Sequence, residues 1–150
     1  MNMTFEESLQ HEIDAMILLS ELHGWRTIKT PRYARVDGIV LNHDRDMLAV
    51  YEFKSRELTL DELNEKGTYL VTHQKITDGC DAARTLGIPF VLIVYLIGSE
   101  NIVSFKVADA DGQLLIDYDV ARTITRKNIH GGIVERYNAF IPLNHMKVLK

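Results

Sequence analysis

Cysteine is almost absent from this 150-residue chain, which contains only Cys80. A single cysteine excludes an intramolecular disulfide and a cysteine-rich zinc site, and it suits a protein of the reducing cytoplasm. Long hydrophobic runs are also missing, because the longest one covers only residues 89–97. That run is too short to cross a bilayer, and the acidic first residues do not resemble a signal peptide. We therefore expect a cytoplasmic protein that does not enter a membrane.

Several common catalytic motifs are missing as well. The six histidines show no metal-ligand spacing, which argues against a zinc protein or an HNH nuclease. The sequence also lacks a glycine-rich phosphate loop, a GxGxxG stretch after a strand and a Gly-x-Ser-x-Gly elbow. Nucleotide-binding and serine hydrolase classes are therefore poor candidates.

An excess of positive charge is lacking too. The formal net charge is −4 and the isoelectric point is near 5.8. This balance argues against a surface that coats nucleic acid nonspecifically, although it leaves room for a local basic patch. The length is typical of one domain, residues 1–150, which buries roughly 70% of the surface of its unfolded chain.

A β-hairpin is the most informative feature that is present. Residues 34–42 and 47–54 are rich in Val, Ile, Leu, Tyr and Phe, and the polar residues 43–46 separate them. This pattern predicts two strands joined by a short turn. If residues 43–46 form the turn, Asp37 faces Glu52 across the hairpin, with Cβ atoms ~5 Å apart.

The charges of this hairpin predict a cation site. Lys54 lies on the same face as Glu52, and Arg35 faces Lys54. Like charges directly opposite each other destabilise a hairpin, whereas a divalent cation turns two facing carboxylates into ligands. The alternative is a solvated face with incidental charges. A slip of one residue in the register would send Asp37 and Glu52 to opposite faces.

The N-terminal residues predict a helix over residues 5–23. Thr4 and Glu7 match a capping box, apolar residues then recur at helical spacing, and Gly24 ends the pattern. Glu12 lies beside the apolar stripe. It is either a residue of the predicted site or an ordinary exposed helix acid.

Two more helices are predicted further along the chain. Thr59 begins a short helix that we expect to be a surface excursion, and Thr72 is a candidate cap for a helix over residues 73–86. The residues expected to face the core from this last helix are Ile76, Cys80, Ala83 and Leu86.

Further strands are predicted at residues 25–29, 89–97, 102–107, 114–118 and 140–143. The second of these is a continuous apolar run, which is typical of a strand buried on both faces. The fold class is therefore α/β, with a mixed central β-sheet flanked by helices and a mostly β C-terminal part.

The hairpin residues resemble a known signature. Asp37 followed by Glu52, Phe53 and Lys54 is similar to the Asp…(Asp/Glu)-x-Lys signature of the PD-(D/E)XK nuclease superfamily, with Val36 in place of the proline. The core of that superfamily begins with a helix that carries a glutamate, followed by three strands, a helix and a strand. The predicted order of elements is the same, which implies a restriction-endonuclease-like core (αβββαβ).

The resemblance is greatest to the archaeal Holliday junction resolvase type. In that type a glutamate precedes the glycine that ends the first helix by about a dozen residues, as Glu12 precedes Gly24. Many members also carry a glutamine near the start of the helix after the lysine strand, where this chain has Gln74. The likeness covers about residues 12–96, within a core of about residues 5–97, and the extension over residues 98–150 matches no family that we recognise.

The resemblance implies a Mg²⁺-dependent deoxyribonuclease, with Mn²⁺ as a substitute metal. Asp37, Glu52 and the backbone carbonyl of Phe53 are the implied ligands, and Glu12 completes or adjusts the site. Lys54 is implied to orient or deprotonate the attacking water, or to stabilise the transition state. Gln74 is implied to position the phosphate or the water.

DNA is the implied partner, possible substrates include branched or junction DNA, and resolvase-like members are usually homodimers. Basic residues near the site in sequence or register are candidates for gripping phosphates: Arg32, Arg35, Arg56 and Lys75. A second basic patch is conceivable from Arg122, Arg126, Lys127 and Arg136. The rival hypothesis is a nuclease-fold module that binds nucleic acid or a protein without cutting. An inactive module usually lacks one of the acids or the lysine. This chain keeps the full set of Glu12, Asp37, Glu52, Lys54 and Gln74, which favours an active enzyme.

Overall fold

The computed structural model describes residues 3–31, 34–125 and 134–150. Its helices are α1 (Phe5–His23), α2 (Leu60–Lys66) and α3 (His73–Leu86). Its strands are β1 (Arg26–Lys29), β2 (Gly38–Leu41), β3 (Met47–Arg56), β4 (Thr68–Thr72), β5 (Phe90–Leu96), β6 (Asn101–Ala108), β7 (Asp119–Thr125), β8 (Val134–Pro142) and β9 (Met146–Val148). A short 3₁₀ turn, Leu143–His145, precedes β9.

Two sheets organise the molecule. The larger has six strands in the order β1-β2-β3-β5-β6-β9, and the smaller has three in the order β4-β8-β7. Among the strands that the structure describes, β3 and β5 are parallel neighbours and the other pairs are antiparallel. The predicted mixed α/β architecture is therefore confirmed. The C-terminal strands are integrated into it, because β6 and β9 extend the large sheet and β8 pairs with β4.

The large sheet has a hydrophobic core on each face. On one face Val50 of β3 and Leu92 of β5 pack with Ile76 of α3 and with the small sheet. On the other face Phe53 of β3 packs with Leu19 of α1. Because successive residues of a strand point to opposite faces, β3 separates α1 from α3 and presents alternate side chains to each.

The predictions for the two long helices are confirmed at both ends. Thr4 and Glu7 form a reciprocal capping box, and Gly24 ends α1 in the left-handed conformation at φ 70°. Thr72 occupies the N-cap of α3, but its side chain makes no capping hydrogen bond. Leu86, the last residue of α3, is 43% exposed, so its predicted burial is wrong.

Several predictions for the shorter elements are wrong. Leu63 of α2 is only 1% exposed, so α2 contributes to the core and is not a surface excursion. β4 was not expected, because a five-residue strand next to a helix start has little periodicity of its own. Residues 114–118 form no strand and make a single bridge from Leu114 to Ala108. Residues 140–142 belong to the long β8 instead of a separate short strand.

The central hairpin has the predicted register next to the site. Gly38 pairs with Tyr51, and the following pairs keep this alignment until a bulge after Val40. The first strand is shorter than predicted, since residues 34–36 form a bend and β2 begins only at Gly38. Among the described residues, no helix is sufficiently long and apolar to cross a membrane.

Candidate active site

A cleft of about 360 Å³ opens where β2 begins and β3 continues beyond it. It lies between α1 on one side and the first turn of α3 on the other. The residues that line it are Phe5, Ser8, Leu9, Glu12, Lys29, Thr30, Pro31, Asp37, Glu52, Phe53, Lys54 and Lys75. The cleft therefore brings together three acids and three lysines from five different segments of the chain.

Asp37 is held at the end of β2 by the backbone of β3. Its N–H donates to the carbonyl of Tyr51 at 3.0 Å, and its Oδ2 accepts the N–H of Phe53 at 2.7 Å. Because β2 begins only at Gly38, the N–H of Phe53 bonds the Asp37 carboxylate and not a strand carbonyl. One carboxylate oxygen is thus committed to the backbone, and Oδ1 lies 3.9 Å from Nζ of Lys29.

Glu52 is the most buried acid of the cleft, with 2% of its surface exposed. Its Oε1 lies 3.1 Å from Nζ of Lys75, whereas Oε2 has no hydrogen-bond partner within the described part of the chain. Burial, and after it the charge of Asp37, raises the pKa of Glu52 to about 7, although Lys75 and Lys54 act in the opposite direction. An ionised Glu52 is therefore under-satisfied by the protein alone.

Glu12 is also buried, at 7% exposure, but both of its oxygens have donors. Nζ of Lys29 lies 2.9 Å from Oε1 and 2.8 Å from Oε2, and the hydroxyl of Tyr51 donates to Oε2 at 3.1 Å. Burial, and then Glu12, raise the pKa of the Tyr51 phenol, which keeps it a proton donor. The interpretation of Glu12 as an ordinary exposed helix acid is therefore wrong.

Gly38 makes room for this contact. A Cβ atom at position 38 would lie 2.8 Å from Cε1 and 2.9 Å from Oη of Tyr51, and it would also clash with the backbone oxygen of Ile28. Only glycine lets the Tyr51 ring pass this closely over β2 and reach Glu12 on α1.

Three of the predicted site residues that the structure describes are not among the lining residues of the cleft. Gln74 donates to Asp78 at 3.0 Å on its own helix and is not among the described lining residues. Arg35 does not face Lys54 as predicted, because residues 34–36 form a bend, and its Nη1 lies 3.9 Å from Asp78. Arg56 bonds the carbonyl of Ser55 and stacks 5.7 Å over the Tyr69 ring. Arg32 lies outside the described residues.

Lys29 and Tyr51 are site residues that the sequence analysis missed. Lys29 pairs with Gly38, next to Asp37, but the irregular residues between β1 and β2 hide this register from the sequence. Tyr51 is one residue from Glu52, so strand alternation assigns it to the opposite face, where it looks like an ordinary core residue. The packing of α1 on that face turns it into a partner of Glu12.

The two described residues of the second basic patch, Arg122 and Arg136, do not share a face. Arg122 pairs with Tyr137, and Arg136 pairs with Thr123, which is the next position of the same ribbon. Because neighbouring positions of a strand alternate between faces, these two arginines point to opposite sides. Arg126 and Lys127 lie outside the described residues.

A divalent cation in this cleft would be held by oxygen atoms of the protein. Among residues 3–31, 34–125 and 134–150, no three His, Cys, Asp or Glu side chains lie close enough together to hold a metal ion by themselves. The buried Oε2 of Glu52, which has no hydrogen-bond partner in the described ranges, nevertheless fits a cation ligand. The carbonyl of Phe53 points to the same side of β3 as its N–H, toward Asp37, because a strand residue directs both groups to one side. Two carboxylates and this carbonyl form an all-oxygen set that suits a hard cation.

The large mixed sheet lies between α1 and α3, and Asp37, Glu52 and Lys54 line one cleft. This is the arrangement that the resemblance to the PD-(D/E)XK nuclease superfamily implies. Comparison with known families agrees. The sequence profile of the family described as "Phage putative PDDEXK endonuclease" matches residues 2–119, and the chain belongs to that family. No curated protein and no solved structure gives a significant match.

Proposed function

We propose that this protein is a Mg²⁺-dependent endonuclease that hydrolyses phosphodiester bonds in DNA, with Mn²⁺ as a substitute metal. The observation that carries the proposal is the Glu52 carboxylate, which is 2% exposed and has one oxygen without a partner among the described residues. An unsatisfied carboxylate oxygen inside a protein is costly, and a hard cation satisfies it. Membership of a PDDEXK endonuclease family supports the reaction class.

Asp37, Glu52 and the backbone carbonyl of Phe53 would hold the ion, and Glu12 supports the site from α1. When bound, a divalent ion supplies a Lewis acid and lowers the pKa of a coordinated water. The chain itself contributes the positions of its charges. The Oδ2–backbone bond of Asp37, 2.7 Å long, fixes that carboxylate at the edge of β2 before any ligand arrives.

The lysines of the cleft provide the positive charge that a scissile phosphate requires. Lys54 shares the face of Glu52 and lines the cleft, so we assign it to orienting or deprotonating the attacking water, or to stabilising the transition state. Lys75 approaches from α3 and is assigned to the phosphate. Gln74 on the same helical turn is assigned to positioning once it leaves Asp78.

Outside the cleft, Arg35 and Arg56 are the proposed contacts to the DNA backbone, together with Arg32. The side chain of Arg35 is 76% exposed, so it is accessible to a strand that enters the cleft. Phosphate contacts of this kind position a nucleic acid without reading its sequence.

For the substrate we propose duplex DNA with branches or junctions, cut by a homodimer. The resemblance of Glu12, Gly24 and the Asp37 signature to the resolvase type supports this choice. A dimer would present two clefts, one for each strand to be cut. Analytical ultracentrifugation would test the dimer directly, and a monomer at all concentrations would contradict it.

The test of the reaction is cleavage of four substrates: supercoiled plasmid, linear duplex, single-stranded DNA and a four-way junction. Each is incubated with Mg²⁺, Mn²⁺ or EDTA. We expect cleavage with either metal, none in EDTA, and a preference for the junction. The Glu52→Gln variant serves as the control for a contaminating nuclease, since it should be inactive on every substrate. Cleavage that persists in EDTA would contradict the metal mechanism.

One observation favours a second candidate, a binding module without catalysis. The acids Glu12 and Glu52 are already paired with Lys29 and Lys75, which neutralises them without a metal. In that case the folded protein would bind DNA but cut none of the four substrates under any metal condition. The same cleavage experiment therefore decides between the two candidates.

A further inference from the structure

The three acids of the cleft differ in what the protein itself offers them. Glu52 has an oxygen to which no described residue donates, and Asp37 has one oxygen bonded to the backbone. Glu12 alone has donors on both oxygens, from Lys29 and from the hydroxyl of Tyr51. A carboxylate that is already saturated by an ammonium and a phenol is a poor choice for a metal ligand, since both bonds would have to be given up.

The ion pair between Lys29 and Glu12 is unequal in exposure. The side chain of Glu12 is 9% exposed, whereas that of Lys29 is 45% exposed. Lys29 lines the active-site cleft and also the adjoining groove of about 320 Å³ between α1 and β1. An ammonium has three donors, so contacts to the Glu12 carboxylate leave capacity for a further acceptor that enters from solvent.

The ammonium group of Lys29 lies beside Asp37 in the active-site cleft. Its Nζ is 3.9 Å from Oδ1 of Asp37, across the strand pair that matches Lys29 with Gly38. Glu12 holds that ammonium from the interior, the hydroxyl of Tyr51 holds Glu12 in turn, and Gly38 gives the Tyr51 ring its space. An anionic oxygen placed beside Asp37 from the open side would therefore meet a fixed positive charge.

We propose that Lys29 is a phosphate-binding residue of this active site, and that Glu12 and Tyr51 position Lys29 instead of binding the metal. The ligand is a phosphodiester group of the DNA strand. This proposal rests on the proposed nuclease function and refines the role of Glu12 within it. The charge of Glu12 fixes one rotamer of a long, flexible side chain, which reduces the entropy lost when the phosphate binds.

The first test measures DNA affinity against salt. A fluorescently labelled duplex is titrated with wild type, Lys29→Met and the control Lys66→Met, in Ca²⁺ and again in EDTA. Lys66 is an exposed lysine at the end of α2. Loss of one phosphate contact should make the slope of log K against log salt shallower by about 0.9 and weaken binding roughly tenfold. A Lys29→Met slope equal to that of wild type would mean that Lys29 is only the counter-ion of Glu12.

The second test measures metal affinity by calorimetry with Mn²⁺ alone. We expect Glu12→Gln to bind Mn²⁺ within about twofold of wild type and to lose less DNA affinity than Lys29→Met does, because it keeps the ammonium and only frees its rotamer. The double variant should be no weaker than Lys29→Met, because the two residues act as one unit. A loss of tenfold or more in Mn²⁺ affinity for Glu12→Gln would make Glu12 a ligand and overturn the proposal.

The choice of variants separates a loss of stability from a loss of the phosphate contact. Lys29→Met leaves the buried Glu12 unpaired, whereas the double variant with Glu12→Gln removes both charges and should restore stability. The double variant then carries the salt-slope measurement, and Lys29→Arg should keep the slope of wild type. If wild type neither binds nor cuts DNA, the nuclease function itself fails. If wild type binds and Lys29→Met keeps its slope, only the role of Lys29 fails.

Discussion

Glu52 offers a quantitative prediction about stability in the absence of metal. Its pKa is raised from the usual 4.5 to about 7, mainly by burial and then by Asp37. The folded protein therefore binds this proton more tightly than the unfolded chain does. It follows that the free energy of unfolding falls as the pH rises from about 4.5 to about 7, since the folded state binds more protons across this window.

The magnitude follows from the same two values. A tenfold change in acidity is worth about 1.4 kcal/mol, so the difference between 4.5 and about 7 corresponds to about 3 kcal/mol. For a chain of this length, that is a change in Tm of roughly 6–12 °C. Glu52→Gln has nearly the same shape but does not titrate, so it should lack this part of the pH dependence.

The assay is chemical denaturation in EDTA at pH 5 and at pH 8. Other titrating groups are common to wild type and Glu52→Gln, so the difference between the two proteins isolates Glu52. We expect wild type to lose about 3 kcal/mol relative to the variant on going from pH 5 to pH 8. Glu57→Gln, which changes an exposed glutamate on the same segment, should show no such difference. The reasoning would be refuted by a wild-type-minus-variant difference that is equal at the two pH values.

Three further predictions concern neighbouring features. Asp37→Asn should abolish cleavage and leave Tm unchanged or raised, because it removes a charge near Glu52 and keeps an oxygen for the Phe53 N–H. A large fall in Tm, measured by circular dichroism, would mean that Asp37 is structural. Gly38→Ala should destabilise the protein by about 1–3 kcal/mol in urea denaturation and weaken DNA binding, since its Cβ would lie 2.8 Å from the Tyr51 ring; full stability would contradict the packing. Excess Mn²⁺ should raise the Tm of wild type but not of Glu52→Gln. At a hundredfold excess over Kd, the free energy of unfolding of wild type should rise by about 2.7 kcal/mol, and equal rises in Tm for both proteins would exclude Glu52 as a ligand.

The hairpin shows how far sequence reasoning reaches. Its two apolar segments and polar turn predict the register that pairs Gly38 with Tyr51, and the structure has that register. The same reasoning places Arg35 opposite Lys54, which is wrong, because the strand does not extend back to residue 35. Strand patterns predict alternation well, but they do not say where pairing stops, since that depends on neighbouring segments.

The partners of the acids depend on distant segments. Lys29 reaches Glu12 from a strand 17 positions away, and Tyr51 reaches it from 39 positions away. No periodicity in the sequence relates such residues. Their contact arises because α1 packs on the sheet, with Leu19 of α1 against Phe53 of β3. This packing brings Glu12 over the edge strands.

The sequence alone determined the two long helices and the register of the central hairpin. Local signals sufficed for α1, for α3 and for the hairpin that sets Asp37 against Glu52, because capping, periodicity and strand alternation act over a few residues. Only the tertiary structure decided how each acid is satisfied. Burial and long-range contacts saturated Glu12 and left Glu52 with an oxygen that has no partner in the described part of the chain. These are the properties that distinguish a candidate metal ligand from a residue that positions a lysine.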